Sequence, residues 1–147
     1  IANGKGETFL FWRQELMSGV TQLWMSRYIV NDKAWLLSSS STTYCNAVDV
    51  CANAQLVSDI SSTSVVDYDI AINELGHLAV TWSQSRTPSE FVSVWATTFD
   101  GNVWGSKVEI SDTGFAKSGN AESPKISLDN KGNHLIIKKR NQRLNYS

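Results

Sequence analysis

The feature that most constrains this chain is an internal repeat. Gly6-Glu7-Thr8-Phe9-Leu10-Phe11-Trp12-Arg13-Gln14 aligns with Gly76-His77-Leu78-Ala79-Val80-Thr81-Trp82-Ser83-Gln84, with Gly, Trp and Gln coinciding at an offset of 70 residues. Leu23-Trp24 aligns with Val94-Trp95 and Tyr28 with Phe99 at an offset of 71, and Trp35 aligns with Trp104 at 69. All six Trp therefore fall into three equivalent pairs, so the Trp richness marks a repeated unit before it marks a site. A third copy starts at Ile126-Ser127-Leu128-Asp129-Asn130-Lys131-Gly132, which matches Ile70 to Gly76 at an offset of 56. It continues as His134-Leu135-Ile136-Ile137, an echo of His77-Leu78-Ala79-Val80. Such self-similarity restricts the fold to architectures in which one unit cannot bury its apolar faces alone and stacks on its neighbours.

Each copy reads as short strands. Residues 69–73, 77–84, 91–99 and 103–110 are rich in Val, Ile, Thr and aromatics, and Leu75-Gly76, a loop holding Pro88 and Asp100-Gly101 separate them. No segment sustains a helical apolar period. The expected unit is a four-stranded antiparallel meander, and the fold class is all-β. Leu10 and Trp12 alternate with Phe9 and Phe11, so this strand is bulky on both faces and needs cover on both. One partial unit is expected over 1–38 with strands at 7–14, 20–28 and 34–38 and its innermost strand missing. A long loop with a Cys pair follows over 39–66, a full unit over 67–111, and a partial unit over 124–147 with strands at 125–129 and 133–139 and a short one through Leu144. The 147 residues thus hold about two and a half units.

An Ile-x-Ile/Leu-Asp/Asn-x-x-Gly turn, an apolar strand ending in Trp, a Trp-x-x-x-aromatic strand and a Gly-x-x-Trp turn together resemble bacterial extracellular β-propeller repeats. Phe99-Asp100-Gly101-Asn102-Val103-Trp104-Gly105 is similar to the degenerate Asp-box turns of sialidase-like propellers and to the Asp-Gly-x-x-Trp turns of fucose-binding lectin propellers. The first copy departs from it, with Asn31-Asp32-Lys33-Ala34-Trp35. The resemblance implies β-propeller blades. Closed propellers take about four to eight of them, so either this is part of a larger propeller or several copies close a ring by self-association. In a ring, the strand near Ile126 of one copy could complete the blade that begins near Gly6 of its neighbour.

Charge narrows the function classes. With 13 basic and 14 acidic side chains the net charge is −1, which removes the electrostatic argument for a nucleic-acid or anionic-membrane partner. No run approaches the about 18 apolar residues of a membrane span. Cys45 and Cys51 lie five residues apart in a polar stretch with no His nearby, a spacing unlike a redox or zinc motif. The preferred reading is a local disulfide, with two unpaired thiols as the alternative. A disulfide implies an oxidising, extracytoplasmic location, and the opening Ile1-Ala2-Asn3-Gly4 fits removal of a leader or a start inside a longer polypeptide. No metal and no cofactor is expected.

In such a meander the first-to-second and third-to-fourth strand turns share one side. The second-to-third strand loops and the link between units share the other. That second side is expected to collect Arg13, Gln14, Gln84, Arg86, the Cys loop and strand ends bearing Trp12, Trp24, Trp82 and Trp95. The candidate ligand-binding residues are Trp12, Gln14, Trp24, Trp82, Gln84 and Trp95, since an indole stacks on a sugar ring and an adjacent amide suits hydroxyls. Trp35 and Trp104, beside turns, read as packing residues. Arg27 is matched by Thr98, so a repeated Arg-based lectin site is not reproduced.

No catalytic residues are assigned. The five Arg, at 13, 27, 86, 140 and 143, match no sialidase-like triad, and no nucleophile elbow, P-loop or zincin motif is present. His77 and His134 recur after turns and read as structural. Asp67 and Asp69 read as solvated or turn-bonded, and Lys138-Lys139-Arg140 as a solvated end. The leading expectation is a non-enzymatic binding or interaction module for a glycan or protein. The alternatives are a fragment of a glycan-processing propeller enzyme and a purely structural propeller piece.

Overall fold

The computed structural model describes residues 1–29, 34–35, 54–58, 62–88, 90–111 and 120–140. They form three antiparallel sheets in chain order, and among the described residues there is no helix and no sheet that closes on itself. In sheet 1, β1 (Thr8–Glu15) pairs with β2 (Thr21–Ile29), whose other edge carries both β3 (Ala34–Trp35) and β4 (Gln55–Leu56). Sheet 2 is the complete unit: β5 (Asp67–Ile72), β6 (Leu78–Gln84), β7 (Ser93–Phe99) and β8 (Val108–Glu109), in that order. Sheet 3 is the hairpin of β9 (Ala121–Leu128) and β10 (His134–Arg140). The all-β class and the antiparallel meander are as the sequence predicts.

Three local expectations are corrected. The innermost strand of the first copy is not wholly missing, because Ala2 bridges Thr8 and the Phe9 amide donates to the Ile1 carbonyl at 2.9 Å. The segment 39–66 is not loop throughout, since β4 lies within it and pairs Leu56 with Trp24 and Gln55 with Met25. The outer strand of the first copy is thus split, and residues 36–53 are inserted between its halves instead of linking two units. Ile126 pairs with Ile136 of the same hairpin, in the strands expected at 125–129 and 133–139. Cys45 and Cys51 lie outside the described residues, as does the strand expected through Leu144.

The three copies share one turn. Asn3, Asn73 and Asp129 each use a side-chain oxygen to accept two backbone amides, from Lys5 and Glu7, Leu75 and His77, and Lys131 and Asn133. Gly6, Gly76 and Gly132 close these turns at φ of 83°, 82° and 86°, a region closed to most L-residues, so glycine is required there. The turns also form a ladder. The Asn3 amide donates to the Asn73 carbonyl at 3.3 Å, and the Asn73 amide donates to the Asp129 carbonyl at 3.1 Å. Beside them, the Gly4 N–H donates to the Glu74 carboxylate and the Glu74 N–H to the Asn130 side chain. Asp129 is a carboxylate held below its usual range by the Asn133 side-chain amide and the surrounding backbone N–H groups.

This turn register separates the two histidines. Asn73 N donates to His77 O as Asp129 N donates to Asn133 O, so His77 is equivalent to Asn133, and His134 to Leu78. The expected equivalence of His77 and His134 is therefore one residue out of step, and one step along a strand changes the face.

The core lies between sheets 1 and 2. Phe9, Leu23 and Met25 of sheet 1 meet Leu78, Val80, Trp82, Trp95 and Phe99 of sheet 2, with Val57 and Val65 at the margin. Phe9 meets Phe99 edge-on, at 6.2 Å and 74° between ring planes. Burial of each such side chain stabilises by about 1.5–3 kcal/mol. The other face of β6 carries the smaller Ala79, Thr81 and Ser83, all buried beneath sheet 3.

Candidate interaction site

Alternation and register together bring the predicted site residues into two equivalent groups. Trp12 stands directly opposite Trp24, and Trp82 directly opposite Trp95, so each pair shares one face of its sheet. Two residues along β1 and β6, the same face carries Gln14 and Gln84. The local chemistry repeats as well: Trp12 Nε1 donates to Gln14 Oε1 at 3.2 Å, and Trp82 Nε1 to Gln84 Oε1 at 3.0 Å. In both copies the amide lies two residues from the indole on an extended strand, within reach of its N–H.

Their surroundings differ. In sheet 2 the group faces sheet 1, and Trp82 and Gln84 are fully buried while Trp95 is 7% exposed. Gln84 Nε2 donates to the Thr63 carbonyl at 2.6 Å, and Trp95 Nε1 to the Gln84 carbonyl at 3.1 Å. The expectation that Trp82, Gln84 and Trp95 line an open ligand face is thereby corrected: they are core residues, and Arg86 covers the Trp95 ring from 5.1 Å. In sheet 1 the same group points away from sheet 2. Trp12 and Gln14 are only partly buried and Leu10 is 52% exposed. Trp24 is buried, and its Nε1 has no acceptor among the described residues, unlike that of Trp95. The expectation that Trp24 lines an open ligand face is therefore also corrected, since Gln22, Trp24 and Ser26 on β2 are buried, and the open part of this face is the β1 part at Leu10, Trp12 and Gln14.

The remaining candidates have structural partners. Arg27 donates to Glu7 Oε1 at 2.8 Å and to the Gly101 carbonyl at 2.9 Å, and lies 5.5 Å above the Phe9 ring. Arg13 donates to the Val66 carbonyl, and Arg86 pairs with Glu109 at 2.9 Å. Asp69 accepts the Ile126 amide at 3.0 Å, and Asp67 accepts the Tyr68 amide. Trp104 Nε1 donates to Gln55 Oε1 at 3.1 Å, which ties sheet 2 to β4 as a packing role predicts. Trp35 pairs with Tyr28 in the ladder.

A cavity of about 200 Å³ lies at the seam of sheets 2 and 3, lined by His77, Thr98, Phe99, Asp100, Leu128 and His134 among others. In the first copy the place of Thr98 is taken by Arg27 and that of His77 by Glu7, and these two form an ion pair at 2.8 Å. Asp100 is held below the usual carboxylate range chiefly by the Val103 and Asn102 amides, which marks it as a turn former. Among the described residues no group of three or more His, Cys, Asp or Glu could hold a metal ion, and no helix is long and apolar enough to cross a membrane.

The sequence signal that β4 exists was present in Val57-Ser58-Asp59 and Ile110-Ser111-Asp112, which match at an offset of 53. Both serines do the same work: Ser58 Oγ accepts the Leu23 amide and Ser111 Oγ the Val94 amide. No protein-family model and no curated protein sequence matches this chain, so its reading rests on its own geometry.

Proposed function

We propose that the chain is a segment of a β-propeller-type stack, each sheet being one blade, and that it acts as a non-enzymatic binding or interaction module outside the cytoplasm. Three observations support the blade reading. Sheets follow chain order, sheet 2 is a four-stranded meander and sheets 1 and 3 are antiparallel parts of one, and equivalent turns pass hydrogen bonds from one to the next. The extracytoplasmic reading rests on the spacing of Cys45 and Cys51.

The single observation that carries the binding reading is the contrast between Trp82-Gln84, sealed in the core, and Trp12-Gln14, left partly open beside the exposed Leu10. An indole plane next to an amide can hold either a sugar ring or the apolar face of another protein. Fluorescence titration with a monosaccharide panel, run beside a glycoside hydrolysis assay, tests it. A quenchable emission component that Trp12→Ala removes, with no turnover, is the expected result. Hydrolysis by the chain alone would reject the non-enzymatic reading, and quenching unchanged in Trp12→Ala would reject Trp12 as contact surface.

A further inference from the structure

We propose that the open face of sheet 1 receives the open face of sheet 3 of a second copy of this chain, so that copies join head to tail. The inference rests on the reading of the Trp12 face as a contact surface and names the partner of that surface.

The interface between sheets 1 and 2 shows what such a face accepts. Val80, Trp82 and Gln84 of β6 are covered by Phe9, which is fully buried, and by the partly buried Phe11 packed beside it. The receiving residues and the covering residues thus lie on opposite faces of the same repeated strand. In the third copy, the pairing of His134 with Leu128 matches that of Leu78 with Ile72 and of Thr8 with Ala2. Leu135 and Ile137 are therefore the equivalents of Phe9 and Phe11. They are 61% and 60% exposed on the face of β10 turned away from sheet 2. At the other end, Leu10 and Trp12 are the equivalents of Val80 and Trp82.

Each end of the stack thus exposes one half of an interface whose complete form exists inside the same molecule. Sizes are compensated as well. The covering side trades two phenyl rings for the smaller Leu135 and Ile137, and the receiving side trades Val80 for the larger Leu10. The part of the receiving face that remains open is the β1 part, at Leu10 and the partly buried Trp12 and Gln14, since Trp24 on β2 is already buried. Because the two surfaces differ, the contact is heterologous, and its repetition closes a ring or extends a stack according to the rotation per copy.

Sedimentation velocity across the micromolar range, on the chain and two variants, tests this. Leu10→Asp blocks the receiving end, and the double variant Leu135→Asp/Ile137→Asp blocks the covering end. All three positions are exposed, and far-ultraviolet circular dichroism with the blue-shifted emission of buried Trp82 verifies folding; Leu135→Asp alone serves if the double variant does not fold. The parent chain should associate with rising concentration. Each variant alone should sediment as a monomer, and an equimolar mixture should form a heterodimer and stop there. A parent chain monomeric throughout, a blocked variant that still self-associates, or a mixture that stays monomeric would overturn the proposal. Sugar quenching of Trp12 in a chain that never associates overturns the second copy as partner and leaves the binding reading standing.

Discussion

Sheets 1 and 2 carry the same Trp-Gln unit on the same strand, opposite the same second Trp, with the same indole-to-amide hydrogen bond, and they use it differently. In sheet 2 the unit is the centre of the core, and its amide also anchors the Thr63 carbonyl. In sheet 1 the unit on β1 faces none of the described sheets, and among the described residues the amide holds the indole alone. The difference teaches that burial here is a property of the neighbour and not of the motif. It also predicts that paired substitutions in the two copies, made in the monomeric chain, separate what the motif contributes from what its cover contributes.

The largest separation is expected at the indoles. Trp82→Ala empties a fully buried site and should cost about 3–5 kcal/mol, against about 1 kcal/mol or less for Trp12→Ala. Urea unfolding of both would show it, and equal losses would mean that the two faces are equally packed. Next come the amides. Gln84→Ala orphans the buried Trp82 N–H and removes one of the two side-chain amides on the Thr63 carbonyl, leaving that of Gln22 at 3.4 Å, and should cost about 1–3 kcal/mol, while Gln14→Ala should stay within about 0.5 kcal/mol. The same unfolding curves provide the measurement.

A smaller effect is expected where the copies differ in sequence. Arg27→Thr copies Thr98 into the first unit and removes the hydrogen bonds to Glu7 and Gly101, at a cost of about 1–2 kcal/mol. The reverse exchange, Thr98→Arg, should fill the cavity beside His77 and Asp100 with little loss, since the space is already open. Thermal midpoints of the two variants rank them, and a greater loss in Thr98→Arg would show that the cavity is needed open.

The smallest effect is acid sensitivity. Asp129 has a depressed pKa in the fold, so its contribution is complete above the ordinary carboxylate value and is lost as pH falls through the lower folded value. Asn3 and Asn73 do not titrate. Asp129→Asn should therefore leave stability unchanged near neutrality and flatten part of its decline between about pH 5 and pH 2, as followed by thermal midpoint. An unaltered acid limb would mean that the third turn does not report on folding.

Much of this was legible because the repeat is spaced by Trp and Gly, and these residues have strong reasons to stay in register. The Gly at the turn needs a left-handed backbone, and the strand that follows must alternate. From those constraints alone the strands of sheet 2 and the bulk on both faces of β1 follow. The burial of Trp82, Gln84 and Trp95 did not follow, because a strand with two apolar faces does not say which has a neighbour. β4 was hidden by the residues inserted at 36–53, which shift its repeat offset from 69 to 53 and break the alignment in mid-strand. The histidines misled for the opposite reason, since His134 resembles His77 in name while the hydrogen bonds equate it with Leu78.

The turn ladder gives the stack a polarity. At every seam inside the chain, the earlier turn supplies a side-chain amide and the later turn a carbonyl, like the two ends of a zipper tooth. The third turn has Asp129 where a donor is needed, and the first has Gly4 where Glu74 and Asn130 supply an acceptor. A Cβ at Gly4 would stand 2.7 Å from the Glu74 carboxylate, so any larger residue there would push that carboxylate aside and weaken the link. A seam joining the third turn of one copy to the first turn of another would lack both of these links. The turns of this chain are thus riveted to one another in one direction, each seam using a donor on the earlier turn and an acceptor on the later one.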